Sequence, residues 1–105
     1  MTAWMGDQYG KCLFLSRALR DFWGVNPIVL SEFDWTSTIH PDDIPKLAGP
    51  FAHAMEKQIS FEVEARYRRA DGEYRTLLTQ ANPRFNPDSG EFQGMTGLNT
   101  DITEN

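Results

Sequence analysis

An alternating pattern in the second half of the chain restricts its fold more than any other feature. In residues 59–68 every odd position is apolar and every even position is polar or charged. Because successive side chains of a strand point to opposite faces, this period of two predicts a half-buried β-strand. The turn residues Asp71 and Gly72 follow, and two further strands are predicted at residues 74–85 and 91–102. The C-terminal half is therefore predicted to be a three-stranded antiparallel meander.

Two registers of the first hairpin are compatible with this turn. A two-residue turn would place the amides of Gln80 and Asn82 on the apolar face, whereas a three-residue turn with a glycine bulge pairs Phe61 with Ala81. Burying an unpaired amide costs about 1–3 kcal/mol, so we predict the bulged register. The inner face of the two strands then carries Phe61, Val63, Ala65, Tyr67, Leu77, Thr79 and Ala81.

Shorter elements are predicted in the first half of the chain. Trp4-Met5 and residues 11–16 have the composition of two short strands around a glycine-containing turn. Ser16 is a suitable N-terminal cap for a helix over residues 17–23, which Gly24 would end.

The longest helix is predicted to open at His40-Pro41-Asp42-Asp43. Proline fits the first helical position, and the two aspartates would face the positive end of the helix dipole. Gly49-Pro50 is expected to kink or split this helix because proline removes a backbone donor. Apolar residues recur on one helix face at Ile44, Leu47, Ala48, Phe51 and Met55. Together the elements predict an α+β fold with helices on one face of an antiparallel sheet.

Length and charge exclude several classes of protein. The 105 residues fit one domain, which we expect to span residues 1–105. A net charge of −5 argues against a nucleic-acid partner, and no apolar run approaches the roughly 20 residues that cross a bilayer, so direct membrane insertion is not expected. The single cysteine rules out an internal disulfide, so a reducing, cytoplasmic location is expected.

Three motifs, in order and with fitting spacing, resemble the PAS domain with its PAC motif. They are Trp35 followed by Ile39-His40-Pro41-Asp42-Asp43, the hairpin segment 61–75, and the final segment 97–104 from Gly97 to Glu104. The PAC motif would cover about residues 59–104. The resemblance is to the subclass common in bacterial sensor histidine kinases and cyclic-di-GMP enzymes. It departs from the family at Thr76, where tryptophan is common, and at Ser16, where asparagine is common.

The resemblance implies a PAS-like five-stranded antiparallel sheet with helices across its inner face, often around a small-molecule pocket. It implies a sensory and signal-transduction module that binds a small ligand, mediates dimerisation, or does both. Such a module is a regulatory input domain rather than an enzyme, and it commonly acts as a homodimer upstream of an effector such as a histidine kinase. Because the chain stops at Asn105, where such domains usually continue into an effector linker, we expect an excised or stand-alone sensor module.

Asn99 suggests where a pocket would lie. Counting the alternation back from Asp101 places Met95, Gly97 and Asn99 on the inner face, and a buried asparagine needs hydrogen-bond partners. An apolar cavity with a few converging polar groups is typical of a ligand site. A filled core with an internally satisfied asparagine remains the alternative. The candidate pocket residues are Phe51, Met55, Val63, Ala65, Tyr67, Leu77, Thr79, Met95 and Asn99.

The opposite face of the sheet suggests an interaction surface. Leu78 and Leu98 are apolar on that outer face, where another element would be expected to cover them. This favours dimerisation and leaves open a second reading, a ligand-free protein–protein dimerisation scaffold. Signal transmission to the effector is assigned to Asp101, Ile102 and Thr103.

Cofactor, metal and catalytic chemistry find little support. His53 is about 180° from the apolar stripe of its helix, which disfavours a haem ligand. Cys12 is on a predicted strand outside any flavin motif, so covalent flavin photochemistry is rejected and the cofactor stays unknown. His40, Asp42 and Asp43 are interpreted as a helix start rather than a metal site. No nucleophile–base pair or phosphate-binding loop indicates catalysis. The arginines are expected to form cross-strand ion pairs on a solvated face: Arg66, Arg68, Arg69, Arg75 and Arg84.

Overall fold

The computed structural model describes residues 1–103 and contains one five-stranded sheet. Its strands are β1 (Ala3–Gly6), β2 (Cys12–Leu15), β3 (Phe61–Arg68), β4 (Tyr74–Phe85) and β5 (Phe92–Asp101). Every paired neighbour is antiparallel, and the order across the sheet is β2-β1-β5-β4-β3. The predicted α+β architecture with a five-stranded antiparallel sheet is confirmed. Glu104, at the end of the predicted PAC motif, lies outside the described residues, as does Asn105.

Two α-helices pack against the sheet, α1 (Arg17–Trp23) and α2 (Ile44–Lys57), and short 3₁₀ turns lie between them. Helix α1 begins where the sequence predicts, because Ser16 Oγ accepts a hydrogen bond from the Leu19 amide at 3.3 Å. It ends at Gly24, whose φ of 69° is the left-handed conformation that a glycine adopts without a Cβ clash. No helix among residues 1–103 is long and apolar enough to cross a membrane.

Helix α2 is one continuous helix that includes Pro50, so of the two effects expected of Gly49-Pro50, a kink or a split, the split does not occur. The carbonyl that loses its donor belongs to Lys46, four residues earlier. Both Lys46 and Pro50 are exposed, so water can satisfy this carbonyl from outside the helix. The apolar face of the helix, including the buried Leu47 and Ala54, stays continuous against the sheet.

The hairpin between β3 and β4 has the bulged register. Phe61 pairs with Ala81 and Ala65 with Leu77, and Gly72 in the turn has a φ of 90°. Strand β3 begins at Phe61, two residues later than the alternating pattern predicts. Ile59 is outside the strand and is 44% exposed. The reason is local: the Ile59 amide still donates to the Ala54 carbonyl at 3.1 Å and completes the end of α2.

The inner face of the sheet forms one side of the hydrophobic core, and the helices form the other. Its central residues are each at most 3% exposed: Ala65, Tyr67, Leu77, Thr79, Ala81, Met95 and Asn99. Leu19 and Trp23 of α1 and Leu47 of α2 are buried as well, and they belong to the cluster that includes Ala65, Tyr67 and Leu77. The odd-numbered face of β3 and β5 therefore points towards the helices, as the alternation predicts.

Asp43 has a different role from the one its sequence position suggests. It makes no side-chain cap for α2; instead Oδ2 accepts from the Arg66 amide at 2.8 Å and from Arg66 Nε at 3.0 Å. Arg66 Nη2 donates to Asp43 Oδ1 at 2.8 Å, so the contact is bidentate. These hydrogen bonds hold the pKa of Asp43 well below its usual value, although partial burial of the carboxylate opposes the shift. The pair joins the start of α2 to strand β3.

We predict that Asp43→Asn lowers the free energy of unfolding by about 1–2 kcal/mol at pH 7, because a charge-assisted bidentate contact is lost. The pKa of Asp43 is lower in the folded than in the unfolded state, so its contribution is complete above about pH 4 and fades as the pH falls through the folded value. Urea denaturation from pH 7 to pH 2 should therefore show wild type and variant converging at low pH. A difference that stays constant with pH would contradict the electrostatic explanation.

Candidate ligand-binding cavity

A cavity of about 70 Å³ lies between the inner face of the sheet and the helices. Since one water molecule needs roughly 10–15 Å³ by this type of measure, the space admits several waters or one small organic molecule. Its wall is largely aromatic and aliphatic, with few polar groups, which is the pattern of small-molecule sites. Three tryptophans contribute to the wall: Trp4, Trp23 and Trp35.

The structure places six of the nine candidate pocket residues around this cavity: Phe51, Met55, Tyr67, Thr79, Met95 and Asn99. The other three, Val63, Ala65 and Leu77, share the inner face of the sheet but do not line the cavity. Alternation in a strand fixes which face a side chain occupies, not where along that face the helices leave space. Ala65 and Leu77 instead belong to the packed core.

Much of the wall comes from residues that were not among the nine pocket candidates. The first hairpin supplies a group that includes Trp4, Met5, Gly6, Asp7, Gly10 and Cys12. The rest comes from the helical half and the two flanking strands: Leu15, Trp23, Phe33, Trp35, Leu47 and Phe61. The hairpin reaches the cavity because β1 pairs with β5, as in the Trp4–Gly97 pair, more than 90 residues away in the chain. No local pattern predicts such a pairing. The one usable signal in the sequence is that β1 carries a large indole and β5 carries a glycine, which could accommodate it.

A chain of four side chains carries the polarity of the cavity. Tyr67 Oη is 2.9 Å from Thr79 Oγ1, and Thr79 Oγ1 donates to Asn99 Oδ1 at 2.9 Å. Trp4 Nε1 donates to the same Asn99 oxygen at 3.2 Å. Strands β1, β3, β4 and β5 each contribute one member. The side-chain oxygen of Asn99 therefore accepts two hydrogen bonds from within the protein.

The cavity wall carries little charge. Burial raises the pKa of Tyr67 to about 12, despite the hydrogen bond with Thr79, so this phenol is neutral at physiological pH. Burial also raises the pKa of the Cys12 thiol, which keeps it protonated. Asp7 lines the cavity too, but its Oδ1 accepts hydrogen bonds from the Tyr9 and Lys11 amides, both at 2.9 Å, inside the β1–β2 turn.

Gly97 allows the Trp4 indole to pack closely against β5. A Cβ at position 97 would come within 2.4–2.7 Å of three atoms of the indole ring. The space that Gly97 provides is thus filled by Trp4. Because the indole also donates to Asn99, any shift of Trp4 would change both the shape and the hydrogen bonding of the cavity.

We predict that Gly97→Ala destabilises the protein by about 1–3 kcal/mol, because the added methyl overpacks against Trp4. Gly49→Ala is the matched control: Gly49 lies inside α2, and a methyl group there would meet no atom within 4 Å, so alanine should stabilise by up to about 1 kcal/mol. Urea denaturation followed by tryptophan fluorescence measures both. Equal effects of the two substitutions would show that the Trp4 contact is not tight.

The predicted transmission residues form a junction at the end of β5. Arg75 Nε donates to Asp101 Oδ2 at 2.9 Å, and the Thr103 amide donates to Asp101 Oδ1 at 2.9 Å. Burial alone would raise the pKa of Asp101, but the hydrogen bonds from Thr103 and Arg75 hold it below the usual value. The Thr76 amide donates to Thr103 Oγ1 at 2.7 Å, and the Ile102 amide to the Thr76 carbonyl at 2.9 Å. The segment after β5 is thereby fastened to the start of β4.

The outer face of the sheet exposes apolar side chains. Leu98 is 38% exposed, Phe14 on the edge strand β2 is 46% exposed, and Leu78 is half-buried. Leu78 and Leu98 therefore lie on the face where the sequence places them. We call Phe14, Leu78 and Leu98 the outer patch.

The remaining candidate groups lie elsewhere. His53 is exposed on α2 and does not line the cavity, and within residues 1–103 no three metal-binding side chains come together. Three of the five arginines bind carboxylates: Arg66, Arg69 and Arg75. Arg84 is not on a solvated face as expected, because it is half-buried and its Nη2 donates to the carbonyls of Gly6 and Gln93.

Comparison with known families gives one match, a family model described as PAS fold, over residues 13–99. Curated protein sequences give no match. The matched region holds most of β2, the helices, β3, β4 and most of β5, and it leaves out β1 with its Trp4. The family match therefore covers most of the cavity wall but not the indole that binds Asn99.

Several of the solved structures similar to this chain are domains of proteins whose names describe sensors or photoreceptors. One is a domain of a Haloarcula marismortui histidine kinase named for light and redox sensing, with 30% identity over 97% of this chain and 89% of that chain, and a TM-score of 0.76. Another is the N-terminal domain of a diguanylate cyclase with PAS/PAC sensor from Marinobacter aquaeolei, with 21% identity, coverages of 96% and 94%, and a TM-score of 0.80. A third is the LOV domain of the blue-light photoreceptor Aureochrome1 in its light state, with 15% identity, coverages of 98% and 82%, and a TM-score of 0.82.

Proposed function

The chain belongs to the PAS fold family, and we propose that it is a sensory input module which binds a small molecule in the cavity and passes the occupancy to an effector. The cavity itself carries this proposal, because it is lined by aromatic and aliphatic side chains and contains one compact group of hydrogen-bonding side chains. The similar domains in a histidine kinase and a diguanylate cyclase make an effector of that kind the natural partner. A cytoplasmic effector would place the module in the cytoplasm.

Transmission would run along the two strands that hold both sites. Thr79 of β4 and Asn99 of β5 belong to the cavity, while Thr76 of β4 and Asp101 of β5 belong to the junction two or three residues further. A ligand that stabilises one arrangement of these strands over another would alter the position of Ile102 and Thr103. In this proposal the module regulates its effector and performs no catalysis of its own.

The cofactor remains open within this proposal. An exposed His53 outside the cavity does not favour haem. Cys12 does line the cavity, but it lies on strand β2 outside any flavin motif, and its thiol donates to the Phe14 carbonyl at 3.7 Å. A non-covalently held small molecule fits the wall best.

We predict that xenon enters the cavity and that Cys12→Leu reduces its binding at least about fivefold, because the larger leucine side chain occupies part of a 70 Å³ space. The measurement is ¹²⁹Xe and ¹H–¹⁵N NMR under xenon pressure. Ala18→Leu enlarges an exposed residue of α1 by similar volume and serves as the control, with wild-type binding expected. Failure of xenon to shift any cavity resonance in the wild type would contradict the proposal that the cavity admits ligands.

The outer patch supports a second candidate function, a dimerisation scaffold that needs no ligand. Leu98 and Phe14 expose large apolar areas on a sheet face that lies opposite the helices. Two copies packed through this face would bury Leu78 and Leu98 together and would place the two junctions at the ends of neighbouring β5 strands. The two candidates are compatible, since one uses the inner face and the other the outer face.

For this scaffold we predict that Leu98→Glu weakens homodimerisation at least about tenfold, because a carboxylate would be desolvated in the interface. Analytical ultracentrifugation over a concentration series gives the dissociation constants. Ala52→Glu adds the same charge to the exposed side of α2 and should leave the dimer unchanged. A wild-type chain that stays monomeric at the highest concentration would refute the scaffold.

A further inference from the structure

We infer that the cavity selects neutral ligands with a hydrogen-bond acceptor, such as a carbonyl oxygen, on a small apolar body, and that the side-chain N–H₂ of Asn99 recognises the acceptor. This inference deepens the ligand-binding function proposed above and rests on it. It follows from the directions of the hydrogen bonds around Asn99.

Trp4 fixes the orientation of the Asn99 amide. The indole Nε1–H is a donor without acceptor capacity, so the atom of Asn99 that lies 3.2 Å from it must be the carbonyl oxygen. The opposite orientation would bring two donors together at 3.2 Å and leave the indole N–H without an acceptor. The amide nitrogen is therefore on the side of the group that faces away from Trp4 and Thr79.

Asn99 in turn fixes the protons of the rest of the chain. Its oxygen cannot donate, so Thr79 must use its single hydroxyl proton on Asn99 Oδ1. Tyr67 must then donate its own proton to Thr79 Oγ1. All donors of Tyr67, Thr79 and Trp4 are consumed inside the protein, and the spare donors of the network are the two N–H groups of Asn99.

These two N–H groups have no acceptor in the protein. Within residues 1–103 no atom accepts a hydrogen bond from Asn99 Nδ2, although the residue is only 3% exposed and lines the cavity. The nitrogen is not sealed in by neighbouring atoms either, unlike Trp23 Nε1 and Arg84 Nε, which are the unpaired buried side-chain nitrogens of the described part. A buried donor that borders open space is completed by an acceptor atom placed in that space.

The charges of the other lining residues indicate which kind of acceptor the cavity can bind. Among the described residues, no lysine, arginine or histidine lines the cavity, so a carboxylate or phosphate would be buried without a counter-charge. The ionisable lining groups are Asp7, Cys12 and Tyr67, of which the carboxylate of Asp7 would repel an anion further. A ketone, aldehyde, amide or ester oxygen meets the N–H₂ group without that penalty.

The test uses two probes with the same four-heavy-atom frame, acetone and isobutene, which differ in a C=O against a C=CH₂ group. Their dissociation constants are measured by ¹H–¹⁵N NMR titration on wild type and on Asn99→Leu, with isobutene supplied at fixed gas pressures. The quantity of interest is the ratio of the isobutene constant to the acetone constant. Comparing this ratio between proteins cancels the different hydration of the probes.

We expect this ratio to fall roughly tenfold in Asn99→Leu, the effect of one lost hydrogen bond. Thr100→Leu, on the outer face of the same strand, should leave it unchanged.

The outcomes separate this inference from the function on which it rests. If both probes bind but the ratio is the same in wild type and Asn99→Leu, the selection by Asn99 is refuted while ligand binding stands. If neither probe nor xenon perturbs the cavity resonances, both fail. If Asn99→Leu does not fold, the wild type decides: acetone must move the Asn99 side-chain N–H₂ resonances downfield and isobutene must not, and equal shifts overturn the inference.

Discussion

The pairing of β5 with β1 on one side and β4 on the other is the constraint on which the cavity depends. It places the inner-face side chains of the first and last strands opposite each other, so that Trp4 lies on Gly97 and reaches Asn99. On the other side it brings Thr79 to the same oxygen of Asn99. Shifting β5 by one residue would turn Asn99 and Met95 outwards and replace them with Leu98 and Thr96. The register of β5 therefore decides which side chains, and so which chemical groups, line the cavity.

What the sequence predicts well is local. The β3–β4 register follows from the cost of burying Gln80 and Asn82, and the bounds of α1 follow from its capping residues, because in both cases the interacting groups are near each other in the chain. The inner position of Asn99 follows from counting alternate residues. What the sequence does not predict is long-range: the Trp4–Gly97 contact, and the Asp43–Arg66 pair that spans 23 positions. Such contacts depend on the complete packing, which no window of neighbouring residues contains. The sequence thus predicts the outline of the fold, but it predicts only part of the cavity wall.

Helix α2 shows how exposure decides whether a local rule holds. Proline inside a helix ordinarily interrupts it because a carbonyl loses its partner. In this protein Pro50 and Lys46 are both on the solvent side, so the missing hydrogen bond affects neither the apolar face nor the position of Leu47, Phe51 and Met55. The same chemistry on the sheet side would have removed part of the cavity wall. Asp43 illustrates the converse: a residue at a helix start that would ordinarily act as a cap is used by a nearby arginine of the sheet.

The order of strands in the sheet also has a consequence for how the molecule is made. During synthesis the first hairpin, residues 3–15, leaves the ribosome long before residues 92–101, with which β1 pairs. An isolated two-stranded hairpin is marginally stable in water, so Trp4 has no lasting position until the final strand has emerged. Strands β1 and β5 must meet before the interior closes. Anything present in the cell that fits that interior would therefore meet it first while one side is still open.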